Sequence, residues 1–313
     1  MLEVKSPLVV VKPVEGKGKG LFITRKVQAG EILLREKPLL SVEYENEEQP
    51  SLADVCAAFY KLSEENQKKI LCLNSRHPSP IANLIEEDDE DYTELERIIN
   101  FNSLKMKNEA GKSVSNIYEK ALFTNHSCNP NAIKDTVTSW DSNESGPGDT
   151  MVVKAIKDIP ENTEVTISYL SDATDIGSRA ERQNELEKWA FSCKCEVCSL
   201  SGDDLAKNEE IRLQLKFHLE SWELMQDKCV PDCRVPDCHR EGLSLDDFET
   251  LSEMMNLLEQ IKYEAIFLLS AVNWMLMICC QTGLVPTKGK GHSKHDLEYY
   301  ENMNDEFDKL LFC

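Results

Sequence analysis

Asn125-His126-Ser127-Cys128-Asn129-Pro130-Asn131 is the stretch on which the fold turns. It follows the apolar Ala121-Leu122-Phe123. A run this polar is too rich in side-chain chemistry for a plain turn. Each asparagine offers a donor and an acceptor together, and His126 flanked by Asn125 can fix a polar ligand through side chain and backbone. A histidine taken alone is more often structural than functional, so the weight rests on the string. Farther on, Val165-Thr166-Ile167-Ser168-Tyr169 reads as a strand ending in a tyrosine. Alone, Tyr169 is a core tyrosine whose hydroxyl needs a partner.

The strongest local signal is Cys193-x-Cys195-x-x-Cys198. In an extended segment, residues i and i+2 point to one side, so Cys193 and Cys195 face one ion. The following C-x-x-C turns the chain back with a third thiolate. A closed structural zinc site takes four tetrahedral ligands, usually Cys or His. One is missing here, and the candidates are Cys128, Cys229, Cys233 or a histidine. A second cluster, Cys229-x3-Cys233-x4-Cys238-His239, has the composition of a Cys3His site. However, neighbours such as Cys238 and His239 point to opposite faces of an extended chain. A proline-fixed loop with free thiols is the preferred reading there.

Gly16-Lys17-Gly18-Lys19-Gly20 invites a phosphate-loop reading, but its context is wrong. A dinucleotide fingerprint runs strand, G-x-G-x-x-G, helix, whereas these glycines lead into the strand-like Leu21-Phe22-Ile23. The bland reading is a flexible hairpin. The sharper one is a place where backbone approaches a ligand with no Cβ in the way.

The rest of the chain sets bounds. It has 313 residues, a formal charge of −21 and twelve cysteines. The length predicts two units, or one domain with an appendage. The acidity argues against direct nucleic-acid binding and suits a basic partner. The N-terminus reads as no secretory signal, so thiols this dense point to metal rather than disulfides. Ala265–Cys280 is too short to span a bilayer and reads as a buried helix. Strands are expected at Leu8–Val11, Leu21–Arg25, Ile32–Leu34, Ala132–Trp140, Thr150–Ile159 and Thr163–Leu170. Helical patterning runs in two pieces from Ser51 to Leu73, with Ser63 as an N-cap. Thr93 with Glu96 and Ser178 with Glu181 form capping boxes. Glu86–Glu96 carries eight acidic residues of eleven and reads as a solvated loop. Beyond Ser201, helices are expected at Asp204–Gln226, Ser244–Lys262, Ala265–Cys280 and His295–Phe312.

Together these pieces resemble a SET-domain protein-lysine methyltransferase. The matches, in order, are Gly16–Phe22, Gln28-Ala29-Gly30-Glu31, Asn125–Asn131, Glu164–Tyr169 and Phe191–Cys198. A helical insert with Asn102-Ser103 before the Asn-His string is similar to the SET-and-MYND (SMYD) branch. Cys56, Cys72 and His77 are too few for a MYND zinc finger, so that finger is expected to be missing. The resemblance implies an α+β architecture: a β-rich SET domain over 1–190 with a helical insert at about 45–105, a zinc-bound post-SET segment over 191–200, and a helical region over 201–313. It also implies bound S-adenosylmethionine. Lys17, Lys19 and Gly20 would line its methionine end, with Asn102 close by. Asn125 and His126 would hold it, and Phe191 would stack on adenine. Tyr169 would be the active-site tyrosine. Trp189, where SMYD proteins often carry Tyr, would wall the substrate channel. The family's interior cysteine selects Cys128 as the fourth ligand beside Cys193, Cys195 and Cys198, with a second zinc at the Cys229–His239 cluster as the further option.

The implied function is methyl transfer to the lysine amine of a protein substrate, histone or non-histone. The alternative is a SET-fold adaptor that engages basic partners through acidic surfaces such as Glu86–Asp91. A small-molecule methyltransferase is disfavoured, because the Rossmann-like Gly motif common in such folds is absent. No membrane or nucleic-acid partner is expected. The chain is expected to be a monomer in the cytoplasm, the nucleus or both; Lys288–Lys294 is too sparse for a nuclear import signal.

Overall fold

The computed structural model describes residues 7–45, 50–73, 94–107, 112–137, 150–189, 191–228, 245–264, 266–281 and 297–311. The Cys229–His239 cluster, the acidic run 86–91, Thr93, His77 and Lys288–Lys294 lie outside them. Two compact units are present: Met1–Ile167 with Leu186–Ser192, and Ser168–Glu185 with Cys193–Cys313.

The first unit holds ten strands in three sheets among the described residues. They are β1 (Val9–Val14), β2 (Gly18–Ile23), β3 (Ile32–Glu36), β4 (Leu40–Tyr44), β5 (Leu104–Lys107), β6 (Ser113–Ile117), β7 (Asn125–His126), β8 (Ala132–Val137), β9 (Thr150–Ala155) and β10 (Glu164–Ile167). The sheet orders are β1-β2-β10-β7, β3-β9-β8 and β4-β6-β5. β1 and β2 form an antiparallel hairpin in which Val14 opposes Gly18. Its three-residue turn places Gly16 at φ 73°, a left-handed conformation that favours glycine. Leu21 and Ile23 bury their side chains fully. β10 then pairs antiparallel with β2, and β7 pairs parallel with β10.

The helical insert packs on the third sheet. Helix α1 (Leu52–Phe59) starts at Ser51, whose hydroxyl accepts from Asp54 N at 3.2 Å. Helix α2 (Glu64–Leu71) starts at the expected Ser63 cap, which accepts from Asn66 N at 3.3 Å. Helix α3 spans Glu94–Asn102. Val55 and Phe59, one turn apart on α1, join Ile70, Ile98 and Ile99 against Leu40, Val42 and Ile117 of the sheet. This sheet was not anticipated from the sequence.

One carboxylate organises the approach to Asn125. Glu36, at the end of β3, accepts from the backbone N–H of Glu119 at 2.8 Å, Lys120 at 2.9 Å and Ala121 at 2.9 Å. Those amides open the short 3-10 turn Ala121–Phe123 that leads into β7. Glu36→Ala is expected to cost about 1.5–3 kcal/mol, the scale of hydrogen bonds to an ionised group. The urea midpoint should fall at constant slope. An unmoved midpoint would mean that water serves these amides equally well.

In the second unit, α4 is Asp172–Asp175 and α5 is Arg179–Leu186, continued by a 3-10 turn, Glu187–Trp189, that belongs with Leu186 to the first unit. The capping box at α5 is reciprocal: Ser178 N donates to Glu181 Oε2 at 2.9 Å, and Glu181 N donates to Ser178 Oγ at 3.3 Å. Lys216 also donates to Glu181, and with Ser178 it holds that carboxyl down at about 2. A lowered carboxylate stabilises the cap above its ordinary range, and that contribution fades only as pH falls towards 2.

Helices α6 (Gly202–Lys228), α7 (Leu245–Leu258), α8 (Ile266–Gln281) and α9 (Leu297–Leu311) follow. Phe248, Leu251, Met254, Met255 and Leu258 bury one face of α7. Asn273 of α8 is fully buried and donates to Tyr300 O of α9 at 3.0 Å. Among the described residues, no helix is long and apolar enough to cross a membrane.

β10 ends at Ile167, short of the expected Leu170. The cause is local. Ser168 Oγ donates to the buried Asp175 at 2.8 Å and accepts from Leu170 N at 3.1 Å, so the side chain captures the backbone that would have continued the ladder.

Candidate functional site

The Asn-His string is built as a clasp on β10. Asn125 stands opposite Thr166 and His126 opposite Ile167. Ser127 N donates to Ile167 O at 3.0 Å, and Asn131 N donates to Thr166 O at 3.2 Å. Asn131 adds its side chain: Nδ2 donates to Glu164 O at 2.8 Å while Oδ1 accepts from Thr166 N at 2.9 Å. One amide thus satisfies both backbone groups that a neighbouring strand would take. Asn129 is tied down by Lys157, whose Nζ donates to Oδ1 at 2.8 Å.

Several of the expected cofactor residues converge on Glu164, which the sequence had not singled out. Asn125 Nδ2 donates to Glu164 Oε1 at 2.6 Å and to Lys19 O at 3.0 Å. Lys17 Nζ pairs with Glu164 Oε2 at 3.0 Å. Lys19 Nζ lies 5.3 Å above the Phe123 ring, a cation–π distance. Gly20 is buried at this junction. A Cβ there would stand 2.6 Å from Glu164 Oε1, 2.7 Å from Val14 Cγ2 and 3.1 Å from Asn125 Nδ2. The glycine is therefore required by space, not by backbone angle. Gly20→Ala should cost about 1–3 kcal/mol by overpacking. It should also part Asn125 from Glu164, which side-chain amide chemical shifts would report. Unchanged shifts would show that Val14 alone yields.

His126 is buried, and its Nε2 lies 3.3 Å from Cys128 Sγ. The Phe191 ring is 6.0 Å from the His126 ring, tilted by 47°. Asn102 closes α3, its amide donating to Ile98 O at 2.8 Å. Trp189 is 39% exposed at the end of its 3-10 turn. Tyr169 is half-buried, two residues beyond β10.

The sulfurs of Cys128, Cys193, Cys195 and Cys198 all lie within 4.8 Å of one another. Zinc–sulfur bonds of ~2.3 Å in a tetrahedron put sulfurs about 3.8 Å apart. The quartet therefore fits zinc with only slight contraction, and the donor set is that of a closed structural site. It is the single such group among the described residues.

Residues 18–170 match the SET domain family model. The histone-lysine N-methyltransferase ASHR2 of Arabidopsis thaliana is 37% identical over 84 residues, 27% of this chain and 20% of that protein. ASHR1 of the same plant is 38% identical over 87 residues, 28% of this chain and 15% of that protein. The aligned part thus spans a fifth or less of these relatives. Among solved structures, PFL0690c of Plasmodium falciparum aligns at 16% identity over 53% of this chain and 95% of that one, with a TM-score of 0.28, too low to compare folds. The matched interval, just under half of the chain, is similar to a SET domain, and it lies within an α+β architecture whose cysteine quartet could hold a metal ion.

Proposed function

We propose that this chain transfers a methyl group from S-adenosylmethionine to the side-chain amine of lysine in a protein substrate. The observation that carries the reading is the clasp of Asn125–Asn131 on β10, which leads within two residues to Tyr169. The SET-domain match and the curated relatives, named as histone-lysine N-methyltransferases, support it.

In this reading the cofactor is held beside the Asn125 amide and the Phe191 ring, which stands 6.0 Å from the His126 ring. Lys17, Lys19, Gly20 and Asn102 line its methionine end. Asn125 and His126 hold it, and Phe191 stacks on its base. Bound there, it supplies an electrophilic methyl on sulfonium. The protein's own work is to align a neutral amine in line with that methyl at roughly 3–3.5 Å. Free lysine has a pKa near ~10.4, so a desolvated channel walled by Trp189 favours the neutral nucleophile. The Tyr169 hydroxyl orients the amine. A phenol, with a reference pKa of about 10, is in general a poor bulk base at neutral pH. The zinc is structural, because four thiolates leave no open position for water.

The test is transfer of labelled methyl from S-adenosylmethionine to histones and to a cell lysate. Label in protein lysine is the expected outcome. Cofactor binding without label in any lysine-containing pool would overturn the enzyme reading, and a zinc-loaded protein that binds no cofactor would move the function to an adaptor for basic partners.

A further inference from the structure

Three side chains of α5 reach the cysteine segment that follows it. Gln183 makes two hydrogen bonds to one residue: its Nε2 donates to Cys193 O at 2.8 Å, and Cys193 N donates to its Oε1 at 2.9 Å. That pattern copies a paired strand residue and fixes the Cys193 backbone on both sides. Arg179 Nη1 donates to the carbonyls of Cys198 at 3.1 Å and Leu200 at 3.0 Å. Arg182 is fully buried; its Nη1 donates to Gly177 O at 2.6 Å, and its Nη2 lies 3.9 Å from Cys198 Sγ. Positions 179, 182 and 183 stand at i, i+3 and i+4 and share one helix face. The first and last thiols of the loop are therefore gripped by the same face.

The loop also closes on itself. Ser199 N donates to Cys195 O at 2.9 Å, Ser199 Oγ donates to Lys194 O at 3.2 Å, and Cys195 N lies 3.5 Å from Cys193 Sγ. None of these bonds needs a metal. Many small zinc modules differ, since there the ion itself makes the fold. Charge points the same way. A divalent cation with four thiolates is a net dianion, and a buried guanidinium beside one sulfur offsets part of it.

We infer that Arg179, Arg182 and Gln183 form a positioning clamp that holds Cys193 and Cys198 in ligating geometry before metal binds, with Arg182 also neutralising the thiolate centre. The inference rests on the reading of the four-cysteine cluster as a zinc site.

The experiment has three readouts on the full chain. Metal analysis of the wild type should find one zinc at this site, a content that falls by one in Cys195→Ser. No such zinc would overturn both the metal reading and the clamp. Amide hydrogen exchange is then followed at Cys193 after chelator has stripped the metal. Protection of at least 100-fold over an unstructured chain supports the clamp. Exchange at the unstructured rate overturns it while the zinc reading stands. Finally, zinc affinity is measured by chelator competition in Gln183→Leu, Arg182→Met and Arg182→Lys. The first two should weaken zinc about 10–100-fold, the range for lost outer-sphere partners, and the lysine variant should recover most of the Arg182 loss. Lower melting temperatures with unchanged zinc affinity would mean a merely structural role and overturn the inference. If Arg182→Met does not fold, Gln183→Leu decides alone, since its side chain is only half-buried.

Discussion

Tyr169→Phe is expected to leave the fold intact and to lower methyl transfer at least ~100-fold, the lower edge of what a positioned catalytic group contributes. Ser168 is anchored on Asp175 and Leu170 on Ser168, so the residues on either side are pinned by other bonds. The loss should therefore fall on the turnover rate, with cofactor affinity within about twofold of wild type. Equal turnover by both proteins would remove Tyr169 from the reaction. A matched loss in cofactor affinity would assign its hydroxyl to binding instead.

Cys128→Ala should produce the second large effect. Cys128 is 1% exposed and sits within 4.8 Å of the other three sulfurs. With three ligands left, zinc affinity should fall more than ~100-fold, beyond the usual cost of losing an outer partner. The damage should reach the cofactor as well. His126 touches Cys128 through Nε2, and Phe191 stands two residues before Cys193 and beside the His126 ring. A metal that holds both cysteines also limits the motion of both rings. S-adenosylmethionine binding by calorimetry should weaken at least about tenfold, while helical content by circular dichroism stays within error. Unchanged cofactor affinity in a zinc-free protein would separate the two sites.

The parts that were legible in sequence share one property: their signal is local. The cysteine spacing announced three thiols of a cluster that the structure brings together as four. The Ser63 and Ser178–Glu181 caps were readable because a cap is decided within four residues. The β4-β6-β5 sheet was not read. β6 buries Ser115 and Asn116 between apolar neighbours, which breaks the alternation that marks a strand, and β5 is only four residues long. β4 does alternate, Leu40, Val42 and Tyr44 being buried, so that signal was present. Glu164 and Gln183 were missed for another reason. Glu164 acquires its place from a missing Cβ on β2, and Gln183 from a backbone ten residues ahead. A single polar letter in a sequence does not reveal which backbone it will serve.

The strand order β1-β2-β10-β7 has a consequence for synthesis. The N-terminal hairpin can close as soon as it leaves the ribosome, but its outer edge then waits until β10 has been translated. Only then can Asn125–Asn131 find the backbone it clasps. Until that moment β2 presents an unpaired edge, a surface suited to a chaperone or to mispairing with another nascent chain. If the cofactor binds there as proposed, its presence during translation would favour completion of this region by mass action.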